Sequence, residues 1–130
     1  MIVADASAVL EVLRHTHAGE AIETTLFGVG QTLHAPHLID LEIVQVIRRF
    51  VANGAIKEDR GRAMIRDLAD IAIRRYPHDV LLPRVWELRG NLSAYDAVYV
   101  ALAELLDAPL LTRDRRLADA AGRYANIQIV

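Results

Sequence analysis

The sequence predicts an α/β protein with a mostly parallel central sheet covered by helices on both faces. Three observations lead there. Short apolar runs such as Ile2–Ala4 and Leu110–Thr112 alternate with longer helical segments, as in sheets buried on both sides. The chain has 130 residues, a length that suits one domain built on one core. Its hydrophobic content is 53% and its mean hydropathy is +0.20. That calls for an unusually apolar core or for apolar surface reserved for a partner.

The elements follow in order. Ile2–Ala4 reads as a buried strand, with Asp5 directly after it. Ser7 is placed to cap a helix running to about His15. His17 to about Phe27 forms a second helix, closed by Gly28 and Gly30. Thr32–Ala35 is a short strand, broken by Pro36, which starts a long helix over Leu38–Ala52. Asn53-Gly54 ends that helix in the left-handed manner. Lys57–Ile73 is the next helix, with apolar residues at Ala63, Ile65, Leu68, Ala69 and Ala72, while Arg74–Asp79 fits neither period. Val80–Arg89 reads as a short strand leading into a helix that carries Trp86. Ser93 opens a helix to about Leu106, stopped by Ala108-Pro109. Leu110–Thr112 is a strand, Asp114 opens a short helix to about Arg123, and Ile127–Val130 is the last strand. With no repeat, linker or low-complexity segment, residues 1–130 are expected to form a single domain.

Composition removes several function classes. There is no cysteine, which excludes disulfide scaffolds, Cys-rich zinc sites and thiol nucleophiles. No apolar run is long enough to span a bilayer. Asp5 and Glu11 interrupt the apolar N-terminus, so no signal peptide is expected; the expected location is the cytoplasm. The net charge of −2 is not that of a protein holding nucleic acid by bulk charge. Lys57 is the only lysine, and the arginines that supply the remaining basic charge suit bidentate phosphate contacts.

The acids carry the chemistry. Asp5 follows the first strand, and Asp114 follows the Leu110–Thr112 strand by two residues. If these strands are parallel neighbours, both carboxylates sit on the sheet edge where open α/β folds place their sites. Asp96 opens a helix that is apolar nearly all round, so it stands at the entrance to the interior. Glu42 lies at the margin of a narrow polar stripe with Gln45, Arg48 and Arg49. Each acid also has a plainer reading. Asp5 and Asp114 can be N-caps, Ser93 and Asp96 a capping box, and Glu42 a partner for Arg49. Asp40 points more squarely among apolar residues than Glu42 does, and reads as a first-turn acid favoured by the helix dipole. Carboxylates brought together resist ionising together, and an oxygen-only donor set selects Mg²⁺ or Mn²⁺ over Zn²⁺. The histidines, His15 with His17 and His34 with His37, flank loops and read as surface residues.

Four segments occur in the order seen in PIN-domain ribonucleases. They are Val3-Ala-Asp5-Ala-Ser7-Ala, the Glu42 helix after Pro36, Leu92-Ser-Ala-Tyr95-Asp96-Ala97, and Leu111-Thr112-Arg-Asp114-x-x-Leu117. The chain most resembles the VapC toxins of prokaryotic toxin–antitoxin pairs, over essentially its whole length. The resemblance implies a PIN-like three-layer α/β/α sandwich. It also implies metal-dependent endoribonuclease activity, with Mg²⁺ or Mn²⁺ held by Asp5, Glu42, Asp96 and Asp114. It selects Glu42 over Asp40, and implies Ser7 and Thr112 as hydroxyls that orient the acids or a ligand water. Gln45 stands where relatives often carry Asn. Arg113, Arg115 and Arg116 flank Asp114 as candidate RNA contacts. The resemblance further implies a homodimer and a small antitoxin covering the groove.

The rival readings are fewer. A phosphoacceptor receiver domain would need paired acids after the first strand and a lysine near a late strand end; Asp5 has no acidic neighbour. An Asp-x-Asp phosphatase would need Asp where Ser7 stands. A non-catalytic α/β interaction module, with the acids as helix caps, is the alternative.

Overall fold

The computed structural model describes residues 1–130. Its strands are β1 (Ile2–Ala4), β2 (Leu33–Pro36), β3 (Ile73–Tyr76), β4 (Leu110–Thr112) and β5 (Ile127–Ile129). They form one sheet in the order β3-β2-β1-β4-β5, and every neighbouring pair is parallel. The helices are α1 (Ala6–Leu13), α2 (His17–Leu26), α3 (Leu38–Ala52), α4 (Glu58–Asp70), α5 (Leu82–Glu87), α6 (Ala94–Leu106) and α7 (Arg115–Ala121). The chain steps outward from β1 to β2 to β3, then crosses back to β4. Right-handed crossovers therefore put α1–α4 on one face and α5–α7 on the other. The core joins 31 buried hydrophobic residues, which meets the expectation of an apolar core, and some large apolar side chains stay on the surface. β1, β2 and β4 are buried throughout, while Leu41, Trp86 and Tyr95 remain exposed.

Four local expectations need correction. Asp5, not Ser7, is the N-cap of α1, accepting from the Ala8 N–H; Ser7 lies inside the first turn. The helix expected to reach Ile73 stops at Asp70, and Ile73–Tyr76 becomes edge strand β3. Pairing with β2 outweighs helix propensity there, and Arg75 fixes the strand to α3 through two bonds to Asp40, 2.7 and 2.9 Å. Asp40 is thus an ion-pair partner as well as a first-turn acid. No strand forms at Val80: Asp79–Leu81 is a 3₁₀ turn running into α5, with Pro83 in the first turn where it costs no hydrogen bond. His34 is not a surface residue but is 2% exposed. Its Nδ1 and Nε2 are matched by the Tyr76 and Thr32 hydroxyls, each at 2.7 Å, which makes burial of the imidazole tolerable.

Two glycines are set by the backbone. Gly54 ends α3 with φ +79°, the left-handed stop expected there. At Gly19 a Cβ would lie 2.3 Å from the Glu11 carbonyl oxygen, so only glycine lets α2 approach α1 this closely.

Burial holds the His34 imidazole below its usual range, and Arg74 and the N-terminal ammonium push the same way. A depressed imidazole pKa contributes stability above the ordinary histidine range. That stability is lost as pH falls, because the unfolded chain then binds the extra proton. Thermal denaturation should show the melting temperature falling from about pH 7 to about pH 5. The fall should be smaller in His34→Gln, whose amide keeps a donor and an acceptor. Identical pH slopes would remove His34 as the titrating group.

Candidate active site

β1 and β4 end side by side, because Val3 and Ala4 pair with Leu110 and Leu111. This is the parallel adjacency on which the reading of Asp5 and Asp114 depended. Two hydrogen-bond relays cross the junction. The Arg113 N–H donates to Ser7 Oγ at 2.9 Å, and Ser7 donates to Asp5 Oδ1 at 2.6 Å. The Asp114 N–H donates to Thr112 Oγ1 at 2.9 Å, and Thr112 donates to Asp5 Oδ2. Asp5 Oδ1 also accepts from the Ala8 N–H at 3.2 Å. Burial raises the Asp5 pKa, although the bonds from Ser7, Thr112 and the backbone oppose that shift.

Glu42 projects from α3 and accepts from the Tyr99 hydroxyl at 2.5 Å. Tyr99 is 2% exposed and lies one helical turn after Asp96 on α6. Burial raises the Glu42 pKa, the Tyr99 bond opposes it, and the charges of Asp5 and Asp96 add to it. The Tyr99 phenol is itself pushed far up by burial and by Glu42, so it stays a hydrogen-bond donor. Asp96 sits half-buried in the first turn of α6, whose cap is Ser93 accepting from the Asp96 N–H. Burial raises the Asp96 pKa, Arg116 opposes the shift, and Asp114 reinforces it. Asp114 caps α7 by accepting from Arg116 N at 2.9 Å and Leu117 N at 3.2 Å.

The plainer readings of the acids are thus partly met. Asp5 and Asp114 are N-caps. The Ser93 hydroxyl caps α6, but no bond runs back from the Asp96 carboxylate, and Glu42 bonds Tyr99 rather than Arg49. Capping explains the position of Asp5 and Asp114; it does not explain why Glu42 feels the charges of Asp5 and Asp96, or Asp96 that of Asp114. No three His, Cys, Asp or Glu side chains converge closely enough here to hold one ion. In chemistry the set still fits a hard divalent cation. Every donor is a carboxylate oxygen, three are raised by burial, and two of these also by like charges.

The flanking arginines separate. Arg113 turns away, donating to the Val130 carbonyl at 3.2 Å and lying 3.8 Å from Glu11. Arg115 is exposed without an ion pair. Arg116 alone reaches the acids, 3.8 Å from both Asp96 and Asp114. Beside Glu42 an open groove is lined by Ala6, Leu38, Leu41, Gln45 and Tyr95. Leu41 and Tyr95 are 71% and 63% exposed. Sequence reasoning missed Tyr99 as a site residue. Its signal was a phenol within an otherwise apolar helix, one turn from Asp96.

The PIN domain family model matches residues 2–123. The ribonuclease VapC9 of Mycobacterium tuberculosis is 42% identical over 130 residues, covering all of this chain and 98% of its own. The ribonuclease VapC12 of the same organism is 38% identical over 130 residues, covering all of this chain and 99% of its own. The chain belongs to the PIN domain family and, within it, to the VapC ribonucleases. The crystal structure of FitAcB from Neisseria gonorrhoeae superposes with a TM-score of 0.74 at 16% identity, covering 98% of this chain and 96% of that one; this likeness is one of fold.

Two stability outcomes follow. Thr112→Val would strand Asp5 Oδ2 and the Asp114 N–H in the interior, and denaturant unfolding should show a loss of about 1–3 kcal/mol. Glu42→Gln keeps an acceptor for Tyr99 but removes a half-buried charge from an acidic cluster. In chelator at neutral pH its melting temperature should exceed that of the wild type; a lower value would contradict the strained-cluster description.

Proposed function

We propose that this chain is a metal-dependent endoribonuclease, the toxin of a type II toxin–antitoxin pair. The observation that carries this is the electrostatic gathering of Asp5, Glu42, Asp96 and Asp114 on the carboxyl edge of the sheet. Full-length similarity to ribonucleases supports the same reading. In it, Asp5, Asp96 and Asp114 would hold the principal Mg²⁺ or Mn²⁺, drawn closer by the ion than they stand without it, and Glu42 would hold a second ion or position the water. Such an ion activates water and stabilises charge on the phosphate in an in-line displacement. The chain's own residues prepare that chemistry. Ser7 and Thr112 fix both oxygens of Asp5, so this carboxylate loses little freedom on taking an ion. Tyr99 fixes Oε1 of Glu42 and leaves Oε2 for a water or an ion. Arg115, which has no ion pair, and Arg116, which is paired with Asp96 and Asp114 but largely exposed, would meet the RNA backbone.

The same reading takes residues 1–130 as one catalytic domain acting in the cytoplasm as a homodimer. A small antitoxin restrains it, presenting a basic side chain to the acids. No helix is long and apolar enough to cross a membrane. The caps made by Asp5 and Asp114 favour one other reading, a non-catalytic interaction module.

The deciding experiment is cleavage of a labelled RNA pool by wild type and Asp96→Asn, with Mg²⁺, with Mn²⁺ and with chelator. The wild type should cleave only with metal, and Asp96→Asn should be slower by at least about 100-fold. A saturating ion should also raise the wild-type melting temperature by mass action. Absence of both cleavage and ion-dependent stabilisation would favour the interaction module.

A further inference from the structure

The arginines of this chain are committed to different degrees. Arg75 clamps Asp40 through Nε and Nη2 at 2.7 and 2.9 Å. Arg84 grips Glu104 through Nε and Nη2, both at 3.1 Å. Those are structural clasps with hydrogen bonds made. Arg116 differs. Its Nη2 stands 3.8 Å from Asp96 Oδ2 and 3.8 Å from Asp114 Oδ2, with the side chain 82% exposed. At that range it makes an ion pair but no hydrogen bond, so its donors are unspent. Its position in the first turn of α7 also sets a cation against the helix dipole. A residue there to secure α7 would be better as an acid. Arg116 therefore does something other than hold the helix: it is the one cation at ion-pair distance from any of the four acids, and it reaches two of them, Asp96 and Asp114.

We propose that Arg116 is an exchangeable counter-cation. In the metal-free protein it balances Asp96 and Asp114. With a divalent ion held by those carboxylates, the guanidinium would be released from them and available to pair with the phosphate under attack. The proposal rests on the ribonuclease reading. Its logic is that of two cations and one set of anions. An ion held by these acids would repel a guanidinium at the same carboxylates, and the Arg116 side chain has no hydrogen bond to break on leaving. The freed planar fork matches two phosphate oxygens in a way that an ammonium does not. Competition also has a fixed sign. Removing Arg116 leaves the empty acids less compensated and the ion less repelled, and both effects tighten metal binding.

The test uses the full chain with Arg116→Ala and Arg116→Lys. Mn²⁺ is titrated calorimetrically without RNA, and single-turnover RNA cleavage is measured at saturating Mn²⁺. Arg116→Ala should bind Mn²⁺ about 3- to 10-fold more tightly, a modest gain because the pair is solvent-exposed. Its cleavage should nevertheless fall at least about tenfold. Arg116→Lys should keep wild-type Mn²⁺ affinity within about twofold and recover only part of the cleavage rate. Unchanged or weaker Mn²⁺ binding by Arg116→Ala overturns the proposal, as does wild-type cleavage by that variant. A lower melting temperature with unaltered Mn²⁺ affinity would assign Arg116 to helix stability and overturn it equally. If the wild type binds Mn²⁺ but cleaves no RNA, the ribonuclease reading fails. The calorimetric arm then decides the counter-cation separately.

Discussion

The buried carboxylate of Asp5 is the constraint around which this molecule is organised. An ionised group with 7% of its surface exposed survives only if its oxygens are met. Here one partner is two positions along the chain and the other 107 positions away. Ser7 and Thr112 supply the protons, and the N–H groups of Arg113 and Asp114 hold those hydroxyls in turn. The same carboxylate caps α1, and the relays to it join the ends of β1 and β4 and place Asp114 beside the other acids. Structural and chemical demands converge on one side chain, which is why capping and catalysis are not competing explanations of it.

Around Asp5 the protein tolerates an unfavourable charge distribution. Glu42 and Asp96 are partly buried, and like charges add to the cost of ionising each: Asp5 and Asp96 for Glu42, Asp114 for Asp96, while most basic residues lie elsewhere. The apolar core supplies the margin, and the site spends part of it, as expected where function needs groups that stability does not. Tyr99 illustrates the arrangement. A phenol in a helix buried from Ala97 to Ala103 is a liability unless bonded, and it is bonded to the acid that most needs orienting.

Much of this was legible in the amino-acid order. Short apolar strands followed by Asp5 and by Thr112-x-Asp114 gave the parallel sheet and its working edge. Asn53-Gly54 gave the end of α3. Three things were not legible. Whether Ile73–Tyr76 is a strand depends on β2 being there to pair with it, a long-range fact that local pattern cannot carry. His34 looked like a loop residue because its partners, Thr32 and Tyr76, meet it only once β2 and β3 are side by side. The choice of Glu42 over Asp40 came from family resemblance. The structure supplies a physical counterpart, since Asp40 is taken by Arg75 and Glu42 by Tyr99.

The sheet order has a consequence for biosynthesis. Strands β1, β2 and β3 lie on consecutive sheet positions and can pair from the first 76 residues alone. β4 and β5 then add to the opposite flank of β1. Asp114 and both relays to Asp5 arrive only with that late addition. A growing chain thus carries an assembled half-sheet but an incomplete acid set until β4 and Asp114 have been added. For an enzyme that attacks RNA, emergence from a ribosome would be a harmless stage, with the hazard arising only once Asp114 is in place.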